Sequence, residues 1–273
     1  MQVHSLEQLR LNKKLLDALE QARFILYFQP QVHLTTGRLH GAEALVRWQT
    51  QDGRIVAPDE FIPVLEEMGR MGELGDLVLD QACSAFQRIK EAGVDLPCMA
   101  VNLAAPQLEE PELSHKITGA LNAAGLSPGQ LEFEVTESML ISKYERVRER
   151  LNELLNLGIG VALDDFGTGY SSLQYLTRYP FSKLKIDKSF VWNMDSGNKD
   201  REVVKAIISL GHSLNIRVLA EGVEKRAQVQ SLRDLGCDLV QGYLYSPPLD
   251  ESSFINYLQE FEENEELSSR STI

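Results

Sequence analysis

Short apolar, β-rich runs alternate with amphipathic helical stretches along most of the chain after Phe24. In one such stretch, Tyr144, Val147 and Leu151 repeat at helical spacing, and Gly158 provides a stop signal. Alternation of this kind favours one α/β unit, and eight strand-like runs with helices between them predict a (β/α)8 barrel. The runs read FILYFQPQVHL, HGAEALVRW, CMAVNL, LEFEV, GVALDD, KLKID, RVLAEG and DLVQGY.

The segments on either side of the predicted barrel differ from it. Residues 1–22 carry leucines roughly at helical spacing, which predicts an amphipathic helix. This helix either leads into the barrel or is a linker from an upstream domain. Residues 23–260 form the predicted barrel, and residues 261–273 form an acidic C-terminal tail.

Charge and composition restrict the possible partners. The chain has 27 Lys and Arg against 40 Asp and Glu, a formal net charge of −13, which argues against a DNA or RNA groove.

No apolar run approaches the ~18 residues of a membrane span, and no signal peptide is recognisable, so we expect a cytoplasmic protein. Cys83, Cys98 and Cys237 are odd in number and widely spaced, which supports neither a disulfide framework nor a zinc site.

Most of the strand-like runs contain one polar residue that differs from its apolar neighbours. These residues recur about every 33 positions, close to the roughly 31 residues of one strand–helix unit in a typical barrel. Because the C-terminal ends of barrel strands meet at one mouth, the recurrence predicts a single site. The residues are Glu43, Asn102, Glu134, Asp164, Lys185, Glu221 and Gln241.

The predicted mouth is strongly acidic. With Asp165, the set provides five carboxylates, which cannot all stay ionised at close range without compensation. Divalent cations provide that compensation, and carboxylate oxygens with the side-chain carbonyl of Asn102 favour Mg²⁺ or Mn²⁺ over zinc. Two such ions activate water and stabilise an in-line displacement at phosphorus, so we predict phosphoester hydrolysis.

Other polar residues have candidate roles in this chemistry. Lys185 is suited to hydrogen-bond the attacking water or to offset charge on the phosphoryl oxygens, and Glu221 to take or position the water proton. Arg47 suits a phosphate if it turns into the mouth. Gln29 and Gln241 are candidate hydrogen-bond partners of a polar ligand.

Each of these residues also has another interpretation. A single Glu near a strand end is more often a surface or capping residue, and Arg47 also fits a structural ion pair. Lys183 lies two residues before Lys185, so both side chains point to the same face of the strand and either one can be the lysine of the site. Lys185 also fits a Schiff-base aldolase, although that reaction leaves the carboxylates without an electrostatic partner. The triplet DFG at Asp165 matches a kinase motif, but the other kinase loops are missing.

These residues lie in motifs that resemble the EAL-domain phosphodiesterases of bacterial cyclic di-GMP signalling. The resemblance extends from about Phe24 to Tyr257 in the family's order. It implies a TIM-like barrel with one antiparallel strand, and hydrolysis of cyclic di-GMP to linear pGpG with Mg²⁺ or Mn²⁺. The motifs are EALVRW from Glu43, VNLA from Val101, EVTES from Glu134, LDDFGTGYSSL from Leu163, KIDKSF from Lys185, AEGVE from Ala220 and QGYLYSPPL from Gln241.

The resemblance also implies residue roles. Lys185 and Gln241 match residues around the nucleophilic water, and Gln29 and Arg47 match substrate contacts. Glu137 matches the residue that steadies the DDFGTGYSSL loop, which is implicated in a dimer contact, so a homodimer is expected. The implied metal ligands are Glu43, Asn102, Glu134 and Asp164, with Asp165 and Glu221 serving a second metal directly or through water.

Two positions depart from the family pattern. Ala104 stands where Ser is more common, and Pro247 stands where Arg is common. These departures bear on substrate affinity and on local loop geometry. They do not bear on the metal chemistry, because neither position is an implied metal ligand. A non-catalytic receptor or scaffold for cyclic di-GMP is the alternative function, although the acids and the lysine that such proteins usually lose are all present. Family members usually occur beside sensory or diguanylate-cyclase-like domains, so a regulatory domain upstream is expected.

Overall fold

The strands of this chain form a closed ring. The computed structural model describes residues 2–142, 144–167, 176–179, 181–194 and 198–270. Its strands are β1 (Phe24–His33), β2 (Leu39–Gln49), β3 (Ile55–Val56), β4 (Met99–Asn102), β5 (Leu131–Thr136), β6 (Gly160–Phe166), β7 (Lys183–Ile186), β8 (Arg217–Ala220) and β9 (Leu239–Val240). Eight of them pair in the order β1, β9, β8, β7, β6, β5, β4, β2, and β2 pairs again with β1. The predicted barrel and its eight strands are therefore confirmed.

One strand of the barrel runs against the others. β1 is antiparallel to both of its neighbours, β2 and β9, whereas the other neighbouring pairs of the ring are parallel. The connection from β1 to β2 consists only of residues 34–38, too few for the crossover that a parallel pair requires. The antiparallel strand implied by the family resemblance is thus confirmed. Its pairing places Gln29 directly opposite Glu43.

Helices cover the outside of the barrel. Within the described residues they are α1 (Gln2–Glu20), α2 (Pro58–Glu67), α3 (Met71–Glu91), α4 (Ala105–Leu108), α5 (Leu113–Ala123), α6 (Glu137–Ser142), α7 (Tyr144–Asn156), α8 (Lys188–Asn193), α9 (Asn198–Ser213), α10 (Arg226–Asp234) and α11 (Glu251–Arg270). The predicted boundary at residue 260 falls inside α11. No helix in the described part of the chain has the length and apolar character needed to cross a bilayer.

The interior of the barrel is polar, and the apolar core lies between the barrel and its helices. β7 shows the arrangement, because successive side chains of a strand point to opposite faces. Leu184 and Ile186 are fully buried in the hydrophobic core. Lys183 and Lys185 are each 1% exposed and make their ion pairs inside the ring. The strand pattern therefore directs two lysines towards the barrel axis.

Candidate active site

Lys185 lies at the centre of an acidic cluster at the C-terminal ends of the strands. Its Nζ is 2.5 Å from Oε2 of Glu134 on β5 and 2.8 Å from Oε1 of Glu221, which follows β8. It is also 3.2 Å from Oδ1 of Asp164 on β6 and 3.5 Å from Oε2 of Glu43 on β2. The structure thus brings together four acids that lie far apart in sequence. Their shared partner is one buried ammonium group.

A break in β6 directs two consecutive carboxylates to the same place. The pairing of β6 with β7 shifts register between Leu163 and Phe166, and Asp165 has a φ of 55°. In a regular strand, Asp164 and Asp165 would point to opposite faces. Here their carboxylate oxygens, with one from Glu221, lie within 4.8 Å of one another. A left-handed conformation at a non-glycine residue is strained, and such strain concentrates at functional sites.

Two amide side chains hold the carboxylate of Glu43. Asn102 Nδ2 donates to Oε1 at 2.9 Å, and Gln241 Nε2 donates to Oε2 at 2.6 Å. Burial opposes ionisation of Glu43, but Lys185 and these hydrogen bonds outweigh it and lower its pKa. Glu43 is therefore a carboxylate. Because Asn102 uses its NH2 group on Glu43, its carbonyl oxygen remains available to a cation.

Two other acids of the cluster, Glu134 and Glu221, have raised pKa values and hold protons more strongly. Burial, with the nearby charge of Glu43, raises the pKa of Glu134 well above its ordinary value. Burial also raises the pKa of Glu221 to about 8, although Lys185 acts in the opposite direction. For Lys185, burial favours the neutral form, but the surrounding carboxylates prevail and raise its pKa well above its ordinary value. Ionised together, these acids would carry more negative charge than one lysine can compensate.

The donor set fits hard divalent cations. Oε1 of Glu134 is fully buried, and no hydrogen bond reaches it from the described residues. A buried acceptor without a donor is costly, so this oxygen is suited to a ligand that the protein itself does not supply. The same cluster offers carboxylate oxygens of Asp164, Asp165 and Glu221 within 4.8 Å of one another and the amide oxygen of Asn102, the type of ligand that Mg²⁺ and Mn²⁺ prefer.

The acidic cluster opens into a cavity of about 470 Å³. Arg47 and Gln29 lie in its wall. Arg47 donates from Nη1 to the carbonyl of Val46 at 2.9 Å, and its guanidinium lies 5.6 Å from the centre of the Tyr27 ring. Arg47 therefore faces the mouth rather than pairing with a distant acid. Gln29 is fixed on both sides, because its Nε2 donates to the carbonyl of Ser246 at 3.0 Å and its Oε1 accepts from Gln241 at 3.0 Å.

The lining of the same cavity contains two further residues that the sequence analysis missed. Lys188 and Trp192 lie one turn apart on α8 and line the same cavity. Lys188 Nζ is 5.6 Å from the centre of the Trp192 ring, and Trp192 Nε1 donates to the carbonyl of Gly222 at 2.9 Å. Both follow Lys185 within a few residues in the sequence. Because residues just after a barrel strand lie near the mouth, this short sequence distance was the available signal.

Several implied roles fall outside what the structure can test. Glu137 is buried at the first residue of α6. Residues 168–173 of the loop that it is expected to steady, which spans residues 164–173, lie outside the described residues, so this role and the dimer contact stay predictions. Ala104 is the residue before α4, and Pro247 is exposed beyond β9. Neither forms a hydrogen bond to an acid of the cluster within the described residues, although Ala104 lines a cavity together with Asn102 and Asp165.

Comparison with known proteins identifies the family. The sequence profile of the EAL domain matches residues 12–248, most of the chain. The chain belongs to the EAL domain family.

Known EAL proteins agree with this assignment in sequence and in fold. The chain is 38% identical over 259 residues to the cyclic di-GMP phosphodiesterase NbdA of Pseudomonas aeruginosa, covering 95% of this chain and 33% of NbdA. It is 39% identical over 249 residues to the bifunctional diguanylate cyclase/cyclic di-GMP phosphodiesterase MucR of the same organism, covering 91% of this chain and 36% of MucR. A solved structure of the PaMucR phosphodiesterase with c-di-GMP superposes with a TM-score of 0.85 at 38% identity, covering 90% of this chain and 99% of that one. This chain spans about a third of the length of these curated relatives.

Below the acidic cluster, the EAL barrel contains a second buried ion pair. Lys183 Nζ donates to Oε1 of Glu132 at 2.6 Å and to Oε1 of Gln31 at 2.7 Å. Ser182 Oγ donates to the other oxygen of Glu132 at 2.8 Å. Burial opposes ionisation of Glu132, but Lys183 prevails and lowers its pKa. The alternation of side chains along the strand predicted that Lys183 and Lys185 share a face. It did not predict which residues across the barrel bind Lys183.

Proposed function

We propose that this EAL domain hydrolyses cyclic di-GMP to linear pGpG in a reaction that depends on Mg²⁺ or Mn²⁺. The observation that carries the proposal is the convergence of five acids on Lys185 and on one another at the mouth of a cavity. Relatives of similar sequence are named as cyclic di-GMP phosphodiesterases, and the PaMucR structure contains c-di-GMP. The geometry supplies the groups that phosphodiester hydrolysis requires.

The cavity suits an anionic nucleotide. Arg47 and Lys188 place cationic groups in its lining, together with the acids and amides of the cluster. A planar guanidinium binds phosphate oxygens in pairs, and an ammonium binds them as a point charge. A second cavity of about 680 Å³ shares Leu45 and Asn102 with the first. The two together offer room for both halves of a cyclic dinucleotide.

The cation ligands follow from the family correspondence and from the oxygen donors described above. We assign Glu43, Asn102, Glu134 and Asp164 to one ion, and Asp165 and Glu221 to a second. When bound, such ions supply positive charge that lowers the pKa of water and stabilises phosphoryl oxygens. Within the described residues, Glu134 Oε1 has no hydrogen-bond donor and the Asn102 carbonyl is not engaged by the bond to Glu43, and both observations support this assignment.

The side chains have distinct roles in the proposed reaction. A water oxygen forms a bond to one phosphorus while the bond from that phosphorus to the 3′ oxygen breaks, and the leaving oxygen takes up a proton. Glu221 Oε1, 2.8 Å from Lys185 Nζ, accepts or positions the water proton. Lys185 Nζ donates hydrogen bonds to the water or to a phosphoryl oxygen. The product is linear and retains a 5′ phosphate, which is pGpG.

A direct assay tests the proposal. Purified protein is incubated with cyclic di-GMP and Mn²⁺, Mg²⁺ or EDTA, and the products are identified by chromatography and mass spectrometry. We expect pGpG with either metal and none with EDTA. Glu43→Gln is expected to lower kcat/KM by on the order of 10² to 10³-fold. Glu60→Gln, the same change at an acid with 60% side-chain exposure, is the control and is expected to retain activity.

A binding measurement separates an enzyme from a receptor. The chain has two tryptophans, of which Trp48 is 6% exposed and Trp192, in the cavity wall, is 45% exposed. Cyclic di-GMP in the cavity is therefore expected to quench the fluorescence of Trp192, and Trp192→Phe is expected to abolish that signal. Quenching by a correctly folded protein that forms no pGpG with either metal would refute hydrolysis and assign the chain a receptor role.

A further inference from the structure

A chain of hydrogen bonds links the deep ion pair to the acidic cluster. Lys183 Nζ donates to Oε1 of Gln31 at 2.7 Å, and Gln31 Nε2 donates to Oε1 of Gln241 at 3.0 Å. Gln241 Nε2 in turn donates to Oε2 of Glu43 at 2.6 Å. These four side chains are between 1% and 5% exposed. Solvent therefore has little access to any link of this chain, which we call the Lys183 relay.

The Lys183 relay has only one possible direction. An ammonium group has donors and no acceptor, so the group of Gln31 that faces Lys183 must be its carbonyl oxygen. The NH2 group of Gln31 then faces Gln241 and must meet the Gln241 carbonyl. This leaves the NH2 group of Gln241 directed at Glu43. A carboxylate, which only accepts hydrogen bonds, is the matching end of such a chain.

The orientation of the Gln241 amide matters because the group lies between two parts of the site. Its Nε2 donates to Glu43 and also to Oε1 of Gln29 at 3.0 Å. The reverse orientation would place a carbonyl oxygen against two acceptors. Buried amides with an unsatisfied or repelled group are costly, so the donor that Gln31 offers to the Gln241 carbonyl completes the orientation that Glu43 and Gln29 favour.

We propose that Gln31 and Lys183 are positioning residues of the active site, which hold the Gln241 amide with its NH2 group towards Glu43. They touch neither the cavity nor the acids around Lys185 in the described residues, and they act through Gln241. Glu132 compensates the charge of Lys183 from the other side, with its Oε1 2.6 Å away. The deep ion pair thus serves as the fixed end of the Lys183 relay.

The first test measures the amide itself, without substrate or metal. Protein labelled with ¹⁵N at glutamine side chains gives an amide signal for Gln241, which Gln241→Ala identifies by its disappearance. We expect slow hydrogen exchange of this amide in the wild type. Gln31→Met removes the middle link and is expected to accelerate the exchange by about tenfold or more. Ser182→Ala, which touches Glu132 but not the relay, is the control and is expected to leave the exchange unchanged.

The second test measures coupling in the hydrolysis reaction and therefore rests on the proposed function. Gln31→Met is expected to lower kcat/KM by on the order of tenfold in the wild-type background. In a Gln241→Ala background the same change is expected to have no further effect, because the group that it positions is gone. A purely structural role would lower activity equally in both backgrounds.

A third variant tests whether Lys183 determines the orientation of the Gln241 amide. Lys183→Met combined with Glu132→Leu removes the ammonium without leaving an unpaired buried charge. This double variant is expected to accelerate exchange of the Gln241 amide as Gln31→Met does. Unchanged exchange in both variants, or equal activity losses in both backgrounds, would overturn the proposal. A wild type that forms no pGpG but shows the protected amide would refute the proposed function and leave the relay standing.

Discussion

Replacing Glu221 by Gln removes one ionisable carboxyl from the acidic cluster and keeps its size and shape. Burial, with help from Asp164 and Glu43, raises the pKa of Glu221 from 4.5 to about 8, against the opposing effect of Lys185. The folded protein therefore keeps this proton over a pH range in which the unfolded chain has lost it. Without a metal, ionising Glu221 destabilises the folded state.

The sign and size of the effect follow from proton linkage. A raised carboxyl pKa contributes stability that is complete below pH 4.5 and is lost as the pH rises through about 8. Each pH unit in this window costs up to about 1.4 kcal/mol, so the whole window costs on the order of 5 kcal/mol. Glu221→Gln removes this loss. Lys185 still has Glu134 at 2.5 Å and Asp164 at 3.2 Å as partners.

Urea unfolding in EDTA, at about pH 5 and about pH 9, measures this difference. We expect the variant to be more stable than the wild type at high pH by several kcal/mol, and no more stable at low pH. Excess Mn²⁺ is expected to reduce the advantage of the variant at high pH. The wild type gains about 2.7 kcal/mol when the metal is at 100 times its Kd, and the variant gains less because it has lost a ligand.

Glu224→Gln provides the matched control, because Glu224 lines the same cavity without joining the ion pairs of Lys185. It is expected to follow the wild-type curve in EDTA and to gain the same stability from Mn²⁺. Parallel pH curves for the wild type and Glu221→Gln in EDTA would show that Glu221 ionises freely in the folded protein. The electrostatic account of the cluster would then be wrong.

Two further substitutions test local energetics by urea unfolding. Ala104 precedes α4 with extended backbone, and its side chain makes no cap hydrogen bond. Ala104→Ser is therefore expected to raise the free energy of unfolding by about 1 kcal/mol. An unchanged value would show that the existing bond from the Ala104 amide to Gln107 Oε1, at 2.9 Å, already suffices as a cap. Lys183→Met leaves Glu132 buried without its ammonium partner and is expected to lower the free energy of unfolding by about 3–5 kcal/mol, most of which Glu132→Leu restores in the double variant. Loss of stability that the second substitution fails to restore would contradict that explanation.

The barrel was predictable because its strands are local features of the sequence. Each β-rich run became one strand, and the polar residue in most of these runs recurred with the strand–helix unit. The direction of β1 was not visible in its residues, because it depends on the five-residue connection to β2, residues 34–38. β3 was missed because two residues, Ile55 and Val56, carry too little pattern to identify a strand.

The inner layer of the site was less predictable, because its contacts join residues that are distant in sequence. Alternation along β7 showed that Lys183 and Lys185 share a face, but not which acids lie opposite them. Glu132 and Glu134 share a face of β5 in the same way, and the two lysines pair with them in two layers. The pairing depends on how the barrel strands are offset, which no single strand records.

Two kinds of positive charge can neutralise the acids around Lys185, and they compete for the same oxygens. Without a metal, the raised pKa values of Glu134 and Glu221 keep protons in the cluster. A divalent cation that binds these carboxylates must displace those protons, so binding releases protons and strengthens as the pH rises. The stabilisation of the wild type by Mn²⁺ is therefore expected to grow between about pH 5 and about pH 9 in the urea experiment. Stabilisation that stays constant over this range would mean that the cation binds carboxylates that are already ionised, and that the protons lie elsewhere.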